Sequence, residues 1–184
     1  MRKCAIISLI LSLVLAMPVF AEDNAIQAMQ IDWDEDAEQV FVDAGYAGTW
    51  YTLEGIGCEL IIPDGYEQQE LTDQDRADEY AFIFANEELG GKIEVFDSYI
   101  EGVDDLATLG AALQEKSPEN PVQYAVINGA AAVINTVGEY DMMSAIFDLG
   151  NHRYIQIMYT TMSKASEMLT LCMASIRFPL ASAE

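Results

Sequence analysis

The sequence predicts an α+β fold, an antiparallel sheet of about seven strands flanked by helices. Strand-like runs of aromatic and β-branched residues come in consecutive pairs, joined at residues 86–91, at Asn128-Gly129 and at Gly150-Asn151. Turns that short join antiparallel neighbours. Apolar stripes with helical spacing fall between and after these pairs, at Leu106, Leu109 and Leu113 and again at Met168, Leu171, Cys172, Ser175 and Ile176. Helices placed there cover a sheet rather than alternate with parallel strands.

The first 21 residues read as an export signal. Arg2 and Lys3 precede an apolar run from Ile6 to Phe20, and Val19-Phe20-Ala21 suits signal peptidase, so the mature chain is expected to begin at Glu22. Cys4 lies before the apolar run, whereas a lipoprotein precursor carries its cysteine after it. Removing 21 of 184 residues leaves 163, a suitable length for one domain with its own core. Residues 22–35 form an acidic leader, expected to be disordered or partly helical, and the single domain is expected to span 36–184.

Within that domain, Ala37, Val40, Phe41 and Ala44 outline a short helix stopped by Gly45. Residues 49–53 and 57–62 follow as strands, the second ended by Pro63-Asp64-Gly65. Residues 67–79 read as an acidic loop, and 80–85 with 92–99 as a hairpin. Asp104 is the expected cap of the next helix, with Lys116 near its C-terminus. Strands at 122–127 and 130–137 turn at Asn128-Gly129, the pair that favours a type I′ turn. Strands at 143–149 and 153–160 follow, and Ser163 is the expected cap of the last helix.

Several phrases in this order resemble the PsbP/Mog1-like domains. Cys58-Glu-Leu-Ile-Ile-Pro-Asp-Gly-Tyr66 is similar to their opening strand and turn. Ile127-Asn-Gly129, followed by an Ala/Val strand, is similar to their central hairpin, and Ser175-Ile-Arg-Phe178 to their ending. The resemblance spans about residues 49–178. It implies an α/β/α sandwich and an accessory or binding role rather than catalysis, and transfers no functional residue set.

Charge narrows the partners. The formal net charge is −23, and loss of Arg2 and Lys3 makes it −25. Residues 22–105 hold 24 acids against Arg76 and Lys92, whereas 106–184 hold seven acids against four bases. Such a field repels nucleic acid and anionic membranes and attracts a cationic ligand or protein. No membrane insertion after processing is expected. Asp73, Asp75, Asp78 and Glu79 are the candidate binding residues, on a segment too polar for a core.

Recognisable catalytic and cofactor patterns are lacking. His152 is the sole histidine and sits beside a turn. One histidine with two distant cysteines does not make a zinc site, and no glycine-rich phosphate loop is present; no cofactor is expected. Asp32, Asp34 and Asp36, closed by Asp43, trace a calcium-loop outline, but Ala37 stands where the loop needs glycine. Tyr46, Trp50 and Tyr51 serve either a binding platform or core packing. Cys58 and Cys172 fall on apolar faces; free buried thiols are expected, with a disulfide the alternative. The function expected is that of a secreted, non-enzymatic binding or accessory module. The alternatives are a hydrolase with paired carboxylates, with or without calcium, and an immunity or inhibitor protein for a basic partner.

Overall fold

A computed structural model describes residues 28–33 and 37–179. Ten strands occur among them: β1 Met29–Ile31, β2 Gly48–Leu53, β3 Cys58–Pro63, β4 Glu67–Gln68, β5 Tyr80–Asn86, β6 Gly91–Tyr99, β7 Val122–Ile127, β8 Ala130–Val137, β9 Met142–Asp148 and β10 Arg153–Thr160. The helices are α1 Ala37–Asp43, α2 Asp73–Ala77, α3 Leu106–Lys116 and α4 Met162–Ala174. Eight strands form one sheet in the order β1-β7-β8-β9-β10-β6-β5-β4, and β2-β3 form a separate hairpin.

The α+β architecture matches the sequence expectation, but the sheet is larger and mixed. Met29–Ile31, placed in the leader by composition, runs parallel to β7. Three residues, Met-Gln-Ile, carry too little alternation to announce a strand; pairing with β7 supplies their backbone partners. Every other pair in the sheet is antiparallel.

Period-two alternation sends side chains to two faces. On the first face Ile93, Val95, Ile134, Phe147, Ile155, Ile157 and Tyr159 join Leu53, Leu60, Leu169, Cys172 and Ile176 in one core, roofed by the β2-β3 hairpin and α4. On the second face Val133, Ile146 and Tyr154 meet Leu106 and Leu109 of α3. Leu171 and Ile176 are buried as expected, whereas Leu113 is only half-buried. Gly110 lets α3 lie close to the sheet, because a Cβ there would stand 2.4 Å from the Tyr124 hydroxyl oxygen.

Both expected helix caps move. Asp105, not Asp104, accepts the Thr108 N–H at 2.7 Å and caps α3. Thr161, not Ser163, precedes α4 and adopts left-handed φ of 68° without a side-chain cap. Asp141, after β8, supplies the missing acceptor: Ser163 donates its N–H to one carboxylate oxygen at 2.7 Å and its hydroxyl to the other at 2.6 Å. A helix start needs an acceptor for its free N–H groups, and here the chain brings it from 22 residues away.

The other end of α4 is tied down as firmly. Ile61 N–H donates to Ser175 Oγ at 2.8 Å, and Glu59 and Arg177 exchange two backbone hydrogen bonds at 2.9 Å. Asn128 occupies the β7-β8 turn with φ of 49°, and Gly129 follows with φ of 83°. Its side-chain amide also donates to Ala174 and Ile176 carbonyls at 2.9 and 2.7 Å and accepts the Trp33 N–H. One turn residue therefore joins β1, the β7-β8 hairpin and the exit of α4.

Cys58 and Cys172 are free and fully buried in the first core. Burial, with a smaller push from Glu59, raises the Cys58 thiol from 9.0 to about 12. Burial likewise pushes Cys172 upward. Both are neutral, poorly nucleophilic thiols at physiological pH.

Candidate functional site

The acidic segment 67–79 is structured rather than a plain loop. Glu67–Gln68 pair with β5, and Asp73–Ala77 form α2. Thr72 and Asp75 make a reciprocal capping box: Asp75 N–H donates to Thr72 Oγ1 at 3.1 Å, and Thr72 N–H to Asp75 Oδ2 at 2.8 Å. The Thr72 hydroxyl and then its backbone N–H hold the Asp75 carboxyl below its ordinary range. The spacing Thr72-x-x-Asp75 is a readable start signal that net acidity obscured. Asp78 accepts both bonds from Gln74 Nε2 at 3.0 Å, and Glu79 takes a left-handed φ of 66° that leads into β5.

A bulge then redirects β5. Tyr80 stands opposite Phe96, yet Phe82 stands opposite the preceding Val95. The irregularity sends Tyr80 to the second face, while Phe82 and Phe84 pack toward the first core. Tyr80 and Phe96 rings lie 4.3 Å apart, tilted by 40°. Both are half-buried, and neither belongs to the core under α3.

Next to Phe96 on the same face is Glu94. Ile93 and Val95 point into the first core, so Glu94 points the opposite way. It is only 6% exposed. Lys92 Nζ stands 3.6 Å from Glu94 Oε1, beyond hydrogen-bond reach, and is itself half in solvent. In register, Met158 faces Glu94 on one side and Ser144 on the other. Ser144 is fully buried, and its Oγ has no hydrogen-bond partner among the described residues.

These groups lie on the second face across β9, β10, β6 and β5. The apolar cluster of α3 stops at Tyr154 and does not include Phe96, Met158 or Tyr80. α2 borders the area. The Tyr80 hydroxyl is raised by burial and then by the fields of Glu94, Asp78 and Asp75. α2, with Asp75 and its C-terminal neighbour Asp78, packs on β5, the strand that pairs with the Glu94 strand β6. Asp73 and Glu79 are exposed on the same segment. Glu94 and Ser144 were missed because each looks like the polar member of an ordinary alternating strand.

The remaining candidates separate. Tyr46 packs on Phe41 at 5.7 Å and donates to Glu167. Trp50 donates to Glu38 at 2.7 Å and carries the Arg177 guanidinium 3.9 Å above its ring. Tyr51 packs on Phe84 at 4.9 Å and donates to Gln68. The three aromatics therefore do not form one platform. His152 Nδ1 lies 2.9 Å from the Val103 carbonyl and 3.7 Å from Asp104. Of the calcium-loop outline, Asp34 and Asp36 lie outside the described residues, while Asp32 and Asp43 accept hydrogen bonds from Gln30 and Gln39 at 2.8 Å.

Grooves occur at two places among the described residues. One of about 270 Å³ lies between the hairpin and the β4-β5 edge and includes Tyr51, Asp64, Tyr66 and Gln68. The other, of about 450 Å³, is mainly apolar and includes Leu106, Phe147, Leu149 and Phe178 with Asp105 and Asp148. Its two carboxylates are already used. Asp105 is held below its ordinary range by Thr108, and Asp148 accepts the Gly150 N–H at 2.7 Å. A glycosidase acid needs a raised carboxyl.

No family model and no curated protein matches the chain. Solved structures are similar at low identity. Cyanobacterial PsbP from Synechocystis sp. PCC 6803 is 13% identical, with a TM-score of 0.48, covering 71% of this chain and 91% of that one. A Mog1 point mutant is 13% identical, with a TM-score of 0.44, covering 74% and 98%. The Saccharomyces cerevisiae Ran-binding protein Mog1p is 11% identical, with a TM-score of 0.42, covering 72% and 96%. In fold the chain resembles the PsbP and Mog1 proteins. Among the described residues, no helix is long and apolar enough to cross a membrane.

Proposed function

We propose that this chain is a non-enzymatic binding or accessory module that works outside the cytoplasm and engages a cationic protein partner. The observation that carries the reading is the packing of the acidic helix α2 against β5, whose Tyr80 pairs in register with Phe96 two residues from Glu94 on the same face. The export signal at residues 1–21 and the excess of acids in residues 22–105 support the same reading. An inhibitor or immunity protein for a basic partner is its narrower form. The paired-carboxylate hydrolase gains no support from Asp105 and Asp148, because local hydrogen bonds already occupy both.

Capture from the producing cells tests the reading, with association rates followed as salt rises. Charges screened beyond about 8–10 Å at ordinary ionic strength give a partner whose association slows steeply with salt. Neutralising Asp73, Asp78 and Glu79 while keeping the cap Asp75 is expected to slow association and leave folding intact. A partner indifferent to salt and to that variant removes the reading. So does turnover of a polymer substrate that one carboxylate substitution abolishes.

A further inference from the structure

Among the described residues, the buried members of the polar and charged types are Asn86, Glu94, Ser144 and Ser175. Asn86 accepts the Leu89 N–H at 2.9 Å, and Ser175 joins Ile61 and the Cys172 carbonyl. The other two, Glu94 and Ser144, share one sheet face and flank the same residue, Met158. A buried carboxylate is costly unless charge and hydrogen bonds compensate it, and a buried hydroxyl without a partner is costly too. Lys92 at 3.6 Å supplies charge to Glu94 but no hydrogen bond.

Elsewhere the molecule shows how it completes a comparable set. Arg177 lies 3.9 Å over the Trp50 ring, and its guanidinium nitrogens reach the partly buried Glu59 carboxylate at 2.9 Å. Asp97 likewise holds Arg153 through two bonds of 2.7 and 2.8 Å. The Glu94 neighbourhood has the carboxylate and two aromatic rings but no arginine. A guanidinium suits it: planar, weakly hydrated, able to stack on a ring and to grip a carboxylate with two N–H groups.

We propose that the part of the second face beyond the α3 cluster is an arginine-reading site, taking one arginine side chain from an extended basic segment of a partner protein over the half-buried Tyr80 and Phe96 onto the exposed edge of Glu94. This rests on the binding-module reading above and names the partner chemistry. Ser144 accepts a second donor from the same segment once Met158 turns aside; methionine, with three rotatable bonds, adapts readily. Glu94 and Ser144 are two strand spacings apart, roughly 9–10 Å, which an extended peptide covers in about three residues. The acids of α2 draw the segment in, and Glu94 selects its head group.

The experiment uses the purified protein and a glycine-serine hexapeptide with one central arginine. The controls are the same peptide with citrulline, which keeps the shape without the charge, and with lysine. Binding is followed by NMR on the Tyr80 and Phe96 rings and the Met158 methyl. Saturable shifts at all three are expected, with the citrulline peptide at least tenfold weaker and the lysine peptide weaker than the arginine peptide. Glu94→Gln, nearly the same shape, is expected to reduce arginine binding to the citrulline level while its spectrum shows an intact fold; Phe96→Leu is expected to weaken it with the carboxylate in place. Equal binding of arginine and citrulline peptides, no response to Glu94→Gln, or preference for lysine overturns the site. A dimer that buries Met158, seen by sedimentation, makes a second copy the occupant and also overturns it. Shifts confined to the Tyr51–Tyr66 groove remove this site but leave the binding-module reading standing, whereas a salt-indifferent partner removes that reading.

Discussion

Around the first core, acids near the surface have arginine partners. Glu59 holds Arg177, and Asp97 holds Arg153. The sheet beneath is roofed by the hairpin and α4, and Leu60, Ile93, Ile157 and Leu169 are wholly excluded from water. On the second face beyond the α3 cluster, Glu94 is more deeply buried than either acid yet has only Lys92 beyond hydrogen-bond distance. Tyr80, Phe96 and Met158 stay half-open there. The same alternating strands serve both faces, so the difference lies in what is packed on them. The roofed side also keeps polar atoms without partners, at Tyr66, Tyr159 and Trp33; what sets the other side apart is a buried carboxylate with no arginine on it among the described residues.

Alkali is expected to break the roofed side most completely. Folded Cys58 is raised from 9.0 to about 12, Tyr66 from 10.0 to about 12, and Tyr159 well upward, all chiefly by burial. The unfolded chain loses these protons first. Their contribution is therefore whole below the ordinary thiol value and is lost as pH climbs toward about 12. Urea midpoints measured from pH 8 upward should fall steeply across that window. A flat profile shows that these groups are not shielded in solution.

Paired truncations sharpen the contrast. Leu169→Ala in the roofed core is expected to cost about 3 kcal/mol, within the usual range for a buried leucine. Met158→Ala on the second face should cost less than about 1.5 kcal/mol, because less of its surface leaves water on folding. Equal losses in urea denaturation would mean that Met158 is covered too.

Asn128→Gly isolates the tie between turn and helix exit. Glycine keeps the positive φ, so the loss reports the side-chain bonds to Ala174, Ile176 and Trp33. A cost of about 2 kcal/mol is expected from three bonds of modest net strength. A loss near zero by urea denaturation removes that linking role.

The smallest effect is expected for Glu94→Gln without any partner. Removing a buried, poorly paired charge is expected to leave stability unchanged or raise it by up to about 1 kcal/mol. A destabilisation of several kcal/mol by thermal unfolding would make Glu94 a structural ion-pair member and close the contrast between the two sides.

Much of this architecture was legible along the chain. The hairpins at Asn128-Gly129 and Gly150-Asn151, the leucines of α3 and the stripe of α4 follow from local chemistry and period. β1 was not, because a three-residue strand gains its identity from β7, far away in sequence. The cap of α4 was not, because Asp141 reaches Ser163 only after the sheet forms. α2 was hidden by net acidity despite its Thr72–Asp75 box. For the candidate site, sequence pointed to the acidic rim and missed the floor. A glutamate between Ile93 and Val95 reads as solvent-facing; its burial depends on cross-strand neighbours and on the β5 bulge that brings Tyr80 alongside.

β1 and β4 have a further consequence for the life of the protein. An open sheet edge is a template on which other chains can add strands and begin to aggregate. Here one end is finished by the three residues of β1 on β7, and the other by the two residues of β4. Met29–Ile31 thus act as a selvedge, the woven border that keeps a cloth from fraying. Trimming through Ile31 would uncover β7, six residues long with Ala125 and Ile127 already apolar and buried, and leave it available to a neighbouring copy.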